Sequence, residues 1–126
     1  MNIIDTYGMR KHVTWISGDS AVLSLVKNTD PDARLGLSVN IRNIGDIMIT
    51  DSVITVANNL KTNTNSVFIT ANCGYLDNDQ IYRCMVAKLP LEVWNLTSAA
   101  VWTDMHPYVS GVSSSFFQAG RYLLTI

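Results

Sequence analysis

The residues able to do chemistry are few, and their spacing matches no known reaction. Two acid pairs stand out: Asp30 and Asp32 around Pro31, and Asp77 and Asp79 around Asn78. Glycosidases need two carboxylates at a fixed separation, and calcium loops need several oxygens from one turn. Asp77-Asn78-Asp79 has neither the glycine nor the terminal glutamate of an EF-hand loop. It reads as a solvated turn capped by its own side chains, with a weak calcium loop as the alternative. Ser17-Gly18-Asp19-Ser20 does not place Gly on both sides of Ser before a helix, as a nucleophile elbow requires, so it too reads as a turn. His106, beside Asp104 and Pro107, has no nucleophile at motif spacing, and neither has His12. The seven glycines are scattered, so no phosphate-cradling loop is present.

Cys73 and Cys84 have ten residues between them. They read as free, packed thiols, with a disulfide as the alternative if their Cα atoms approach within about 7 Å. Two cysteines cannot build a structural zinc site, and neither histidine stands at ligand spacing from them. No cofactor or metal is expected, and the sequence reads as non-enzymatic.

The aromatic residues are the remaining candidates. Trp15 and Tyr122 lie in alternating segments and are expected in a core. Trp94, Trp102 and Tyr108 lie in an irregular stretch, where bulky apolar groups serve either a core or a partner surface. With the adjacent basic pair Arg10 and Lys11, these three are the candidate partner contacts. Asn95-Leu96-Thr97 matches the glycosylation pattern but is discounted, because Met1 to His12 lacks the apolar segment of a secretory signal.

The elements that must position these residues are read from periodicity. Leu35, Leu37, Val39 and Ile41 are apolar, and Gly36, Ser38, Asn40 and Arg42 between them are small or polar. A side-chain period of two marks a half-buried strand. Val22–Val26, Ile47–Val56, Val67–Ala71, Ile81–Ala87 and Tyr122–Ile126 are read the same way, and another strand begins near Val13 and runs through Trp15. Val109–Phe117 is a further candidate strand, and Leu91–Asp104 is either one short helix or two irregular strands. Asn28–Asp32 and Asn58–Ser66 are loops, and Asn43–Asp46 is a hairpin connection. Strands at this spacing predict an all-β fold: a two-sheet antiparallel β-sandwich, immunoglobulin-like or jelly-roll-like, with at most one short helix.

Composition points the same way. The 126 residues fit one domain, read as an arm over 1–12 and a sandwich over 13–126. Charged residues are only 15 %, and Glu92 is the sole glutamate, which argues against solvated helical surfaces. A net charge of −1 gives no basic stripe for nucleic acid. No apolar run approaches the roughly 20 residues of a bilayer span. A soluble protein made in a cytoplasm is expected, with no membrane partner.

Two segments carry a resemblance. Thr14-Trp15-Ile16-Ser17-Gly18-Asp19-Ser20-Ala21-Val22-Leu23-Ser24-Leu25 resembles the opening of immunoglobulin-like modules in tailed-phage virions, best known from the amino-terminal domain of baseplate upper proteins. Ala119-Gly120-Arg121-Tyr122-Leu123-Leu124-Thr125-Ile126 is similar to their closing strand. The resemblance implies a bacteriophage virion structural protein: a tail, neck or baseplate accessory or fibre adaptor, or else a capsid decoration protein. Its partners would be other virion proteins, including copies of itself in a symmetric assembly. A carbohydrate- or receptor-binding module using the exposed aromatics is the further alternative.

Overall fold

Asp19 decides how the chain continues after its first strand. Its carboxylate accepts a 2.9 Å hydrogen bond from the Ala21 amide, and its own amide donates to Ser17 Oγ. This is a helix N-cap, which satisfies a backbone donor left orphaned at a helix start. Strand β1 (Thr14–Ser17) therefore leads into helix α1 (Ser20–Thr29), not into a second strand. Leu23 is buried and Val26 packs against the core, while Val22 and Leu25 are exposed. The four apolar residues fit both a period of two and a period of 3.6, and the cap selects the second.

The computed structural model describes residues 8, 13–40, 47–95 and 107–113. After β2 (Arg34–Val39), helix α2 (Asp51–Asn59) begins at Thr50, whose hydroxyl accepts from the Val53 amide. Strand β3 (Val67–Asn72) runs through a single 3₁₀ turn (Cys73–Tyr75) into helix α3 (Asn78–Val86), capped by Asp77. Lys88 closes α3 in the left-handed region (φ 56°), and the Leu89 amide reaches back to the Cys84 carbonyl at 3.0 Å. That bond is the outer link of a Schellman motif. Strands β4 (Leu91–Trp94) and β5 (Gly111–Ser113) complete the described elements.

The five strands form one sheet in the order β1-β2-β3-β4-β5, every neighbouring pair parallel. Each connection steps one strand in the same direction. Crossovers between parallel strands are right-handed, so stepping one way throughout puts the helices on one face. The core records this. Leu35, Leu37, Val39, Val67, Ile69, Ala71, Leu91 and Val93 cluster with Leu23 of α1, Ala57 of α2, and Ile81 and Cys84 of α3. The alternate residues, from Thr14 and Ile16 to Glu92 and Trp94, belong to the opposite, helix-free face.

The expected antiparallel β-sandwich is thus corrected to an α/β fold with a singly wound parallel sheet. Val22–Val26, Val53–Ala57 and Ile81–Val86, read as strands, are helical. The segments Thr14–Ser17, Arg34–Val39, Val67–Asn72 and Gly111–Ser113 are strands as read, though the last is shorter. In Leu91–Asp104 only Leu91–Trp94 is described as a strand. The arm over 1–12 apart from Gly8, the hairpin connection Asn43–Asp46 and the closing strand Tyr122–Ile126 lie outside the described residues.

Candidate functional site

Because all five strands run the same way, their C-terminal ends share one rim of the sheet. Sites in parallel α/β folds are built at that rim, from the ends of several strands. Here it carries Ser17 at the end of β1 and Asp19 after it, Asn40 after β2, Asn72 at the end of β3 and Cys73 to Tyr75 after it, and Trp94 and Asn95 at β4. The N-terminal ends of α1, α2 and α3 face the same side, each with its cap.

The opposite end of the helix-free face is closed. Phe68 is buried there without joining the core beneath the helices. The Arg34 guanidinium lies 4.1 Å from its ring centroid, a cation–π contact. Arg34 also donates 2.5 Å to Glu92 Oε2 and 3.2 Å to Thr14 Oγ1. Among the described residues, Arg34 is the only cation on this face, and Glu92 neutralises it.

Toward the rim the face turns polar. Ser38 is the register partner of Thr70, Thr70 of Glu92, and Asn72 of Trp94. Thr70 and Asn72 are each only 9 % exposed. Asn72 Oδ1 accepts from the Gly74 amide at 2.9 Å and from Asn95 Nδ2 at 3.4 Å. Asn95 holds its position at φ 62°, a left-handed conformation that asparagine tolerates. Among the described residues, the Asn72 side-chain NH2 and the Thr70 hydroxyl have no hydrogen-bond partner. Buried polar groups are nearly always paired, so two unpaired donors side by side on one face call for an explanation.

A buried glutamine ties the rim together. Gln80 Oε1 accepts from the amides of Met48 and Ile49 at 3.1 and 3.0 Å, and its Nε2 donates to the Tyr75 carbonyl at 3.1 Å. The segment entering α2 is thereby fixed to the turn leaving β3.

Cys73 and Cys84 are free and buried. Burial raises both thiols, Cys84 to about 11, and Cys73 Sγ donates to the Asn95 carbonyl at 3.2 Å. A thiol held protonated is a packing group, not a nucleophile. Asp77 serves as the N-cap of α3, and Asn78 and Asp79, read with it as a solvated turn, are the first residues of that helix. No group of three or more His, Cys, Asp or Glu side chains able to hold a metal occurs among the described residues. No helix among them is long and apolar enough to cross a membrane.

Of the residues singled out in the sequence, Trp94 reaches the rim on the helix-free face. Tyr108 is exposed in a different place, a hollow against α3 with Asn78, Ile81, Tyr82 and Met85. Trp102, Arg10 and Lys11, with His12 and His106, lie outside the described residues. The polar residues Ser38, Thr70 and Asn72 were passed over, because polar members of an alternating strand read as a solvent face.

No protein-family model and no curated protein sequence matches the chain. Solved structures do. A candidate glycerophosphodiester phosphodiesterase from Galdieria sulphuraria superposes with a TM-score of 0.76 at 18 % identity, over 99 % of this chain and 48 % of that one. A candidate glycerophosphoryl diester phosphodiesterase from Silicibacter pomeroyi gives 0.69 at 15 % identity, over 90 % of this chain and 37 % of that one. The chain thus spans about half or less of the structures it matches. The shared feature is the fold. It overturns the resemblance to phage baseplate modules: the segment quoted for it, Thr14–Leu25, is a strand followed by a helix. The reading as a non-enzymatic virion protein or binding module is corrected with it: the structures that share this fold are described as phosphodiesterases.

Proposed function

We propose that this chain is part of a phosphodiester-hydrolysing βα barrel of the glycerophosphodiester phosphodiesterase kind, and that it supplies the rim on which the substrate rests. The observation that carries the reading is the polar end of the helix-free face: Ser38, Thr70, Asn72 and Trp94 lie on neighbouring parallel strands, at the end where such folds bind ligands. The fold likeness supports the choice of reaction class.

Hydrolysis of a phosphodiester requires water to attack phosphorus while the bond to the leaving alcohol oxygen breaks and that oxygen gains a proton. The described rim offers neutral hydrogen-bonding groups suited to binding and orienting the ester. The groups that activate water belong, in this reading, to parts of the barrel beyond the described residues. The test incubates the full-length protein with a glycerophosphodiester and divalent cations, and follows release of glycerol 3-phosphate. Release that falls on substitution of Asn72 by Ala supports the reading, and absence of release above the uncatalysed background overturns it.

A further inference from the structure

We infer that the outward face of α3 is a self-association surface, on which a second copy of this chain seats its own α3 antiparallel across a twofold axis. The inference is independent of the reaction proposed above.

The helix is apolar on two opposite sides. Ile81 and Cys84 face the sheet and are buried. Tyr82, Met85 and Val86 point the other way and are 65 %, 52 % and 63 % exposed. Asn78, Tyr82, Met85 and Val86 recur at the i, i+4, i+7, i+8 spacing of a single helix face. A surface helix of a monomer carries polar and charged residues there. Apolar bulk on both sides marks a helix that is covered on both sides.

The surface is shaped to fit a copy of itself. Tyr82 stands as a ridge between two hollows. One lies toward α2 and is lined by Asp51, Ile54 and Val86, and the other is lined by Asn78, Met85 and Tyr108. Helices pack by setting the ridges of one into the grooves of the other. A face with a ridge and flanking grooves can meet its own copy, each ring entering a hollow of the other, which is the condition for a closed twofold contact. Nine residues of helix are about 14 Å long, too little for the ~600 Å² per copy of a stable interface, so the two hollows belong to the contact.

Charge selects the copy and sets its direction. Asp79 is exposed in the first turn of α3, and Lys88 is exposed just beyond its last. Asp79 stands three residues before Tyr82, and Lys88 three residues after Met85. Each interval is about 4.5 Å along a helix axis. An antiparallel pairing that sets Tyr82 against Met85 of the second copy therefore brings Asp79 opposite Lys88 of that copy. The twofold axis repeats the pair at the other end. A parallel pairing would set Asp79 beside Asp79 and Lys88 beside Lys88, and would align the two helix dipoles.

Sedimentation velocity of the full-length protein from about 1 to 100 µM, a span that resolves micromolar dissociation constants, tests this. Wild type should shift from monomer toward dimer with concentration. Tyr82→Glu, which places a carboxylate in the contact from each side, should stay monomeric throughout. Asp79→Lys and Lys88→Asp should each weaken the dimer by about tenfold or more, because each reversal sets like charges together at both ends. The two reversals combined restore opposite charges and should recover the wild-type dissociation constant to within about threefold. Aspartate tolerates the left-handed backbone at position 88. Far-ultraviolet circular dichroism checks that each variant is folded, and recovery in the combined variant cannot come from a misfolded chain.

A monomer at every concentration overturns the inference, even if this face binds some other protein. A dimer that survives Tyr82→Glu also overturns it, because the contact then lies elsewhere. Single reversals without effect, or a combined variant that does not recover, rule out the antiparallel pairing and the inference with it. None of these outcomes bears on phosphodiester cleavage.

Discussion

Gly36 and Phe68 occupy the same space on adjacent strands. A Cβ placed at position 36 would lie 2.5 Å from Phe68 Cζ and 2.8 Å from Cε2, well inside van der Waals contact. The two are register partners on β2 and β3, so the missing side chain of one makes room for the ring of the other. Ile16 of β1 limits escape on the remaining side, 3.0 Å from the same point. Arg34 covers the ring. The closed end of the helix-free face is thus built around one glycine, and the polar rim stands above it.

Gly36→Ala should therefore destabilise the protein by about 1–3 kcal/mol, the usual cost of overpacking. Phe68→Leu shortens the obstructing group, so the double variant should lose less than the sum of the two single losses. Urea unfolding of the four proteins in a double-mutant cycle measures the coupling. Additive losses would show that the ring simply swings away.

Gln80→Leu should cost more. It leaves the Met48 and Ile49 amides and the Tyr75 carbonyl without partners in a buried setting, at about 1–3 kcal/mol for each group that stays dry. Hydrogen exchange should localise the damage, with faster exchange at Met48 and Ile49 and little change at Leu35 or Leu37. Uniform loss of protection across the sheet would instead mean that Gln80 supports the whole fold.

Asp19→Ala removes the cap that turns the chain from strand to helix. A lost N-cap costs about 0.5–2 kcal/mol. Far-ultraviolet circular dichroism should show helix lost before sheet as the variant is heated. An unchanged melting profile would count against the cap as the deciding residue.

That same residue shows what the sequence made legible. The strands at Leu35–Val39 and Val67–Ala71 could be read from alternation, because one face of each is buried and the other is not. Alternation does not distinguish a parallel from an antiparallel neighbour, however, and that difference separates this fold from a sandwich. The helices were hidden by composition. Val53-Ile54-Thr55-Val56 is a β-branched run that favours strands on propensity, yet it is helical in α2, where Val53, Ile54 and Val56 pack against the core. The scarcity of glutamate argued against helices only for fully solvated ones. The decisive marks were short and local: Asp19, Thr50 and Asp77, each one residue before a helix, and the Asp77-x-x-Gln80 spacing of a capping box. The candidate site was illegible for a different reason. Ser38 lies on a different strand, far in sequence from Thr70 and Asn72, and only parallel register brings it to their end of the face.

The buried thiols give a pH dependence whose sign is fixed. Burial raises Cys84 from an ordinary value of 9.0 to about 11 and raises Cys73 as well, so the folded state holds both protons more tightly than the unfolded chain. Below pH 9 the thiols are neutral in both states, and the stability from burying them is fully present. Between pH 9 and about 11 the unfolded chain ionises first and gains relative to the folded one. Stability should fall across that window by at most ~2–3 kcal/mol for Cys84. Cys84→Ala should lose stability at neutral pH through the vacated space and show a flatter decline above pH 9. Urea midpoints at pH 7.5, 9 and 10.5 for the two proteins, with reductant present, measure the difference. A decline equally steep in both would assign the alkaline loss to other groups. Thiol reagents offer an independent check at pH 8: modification of Cys84 should proceed at the rate of protein opening and rise with urea, whereas rapid labelling of the folded protein would contradict its burial beneath α3.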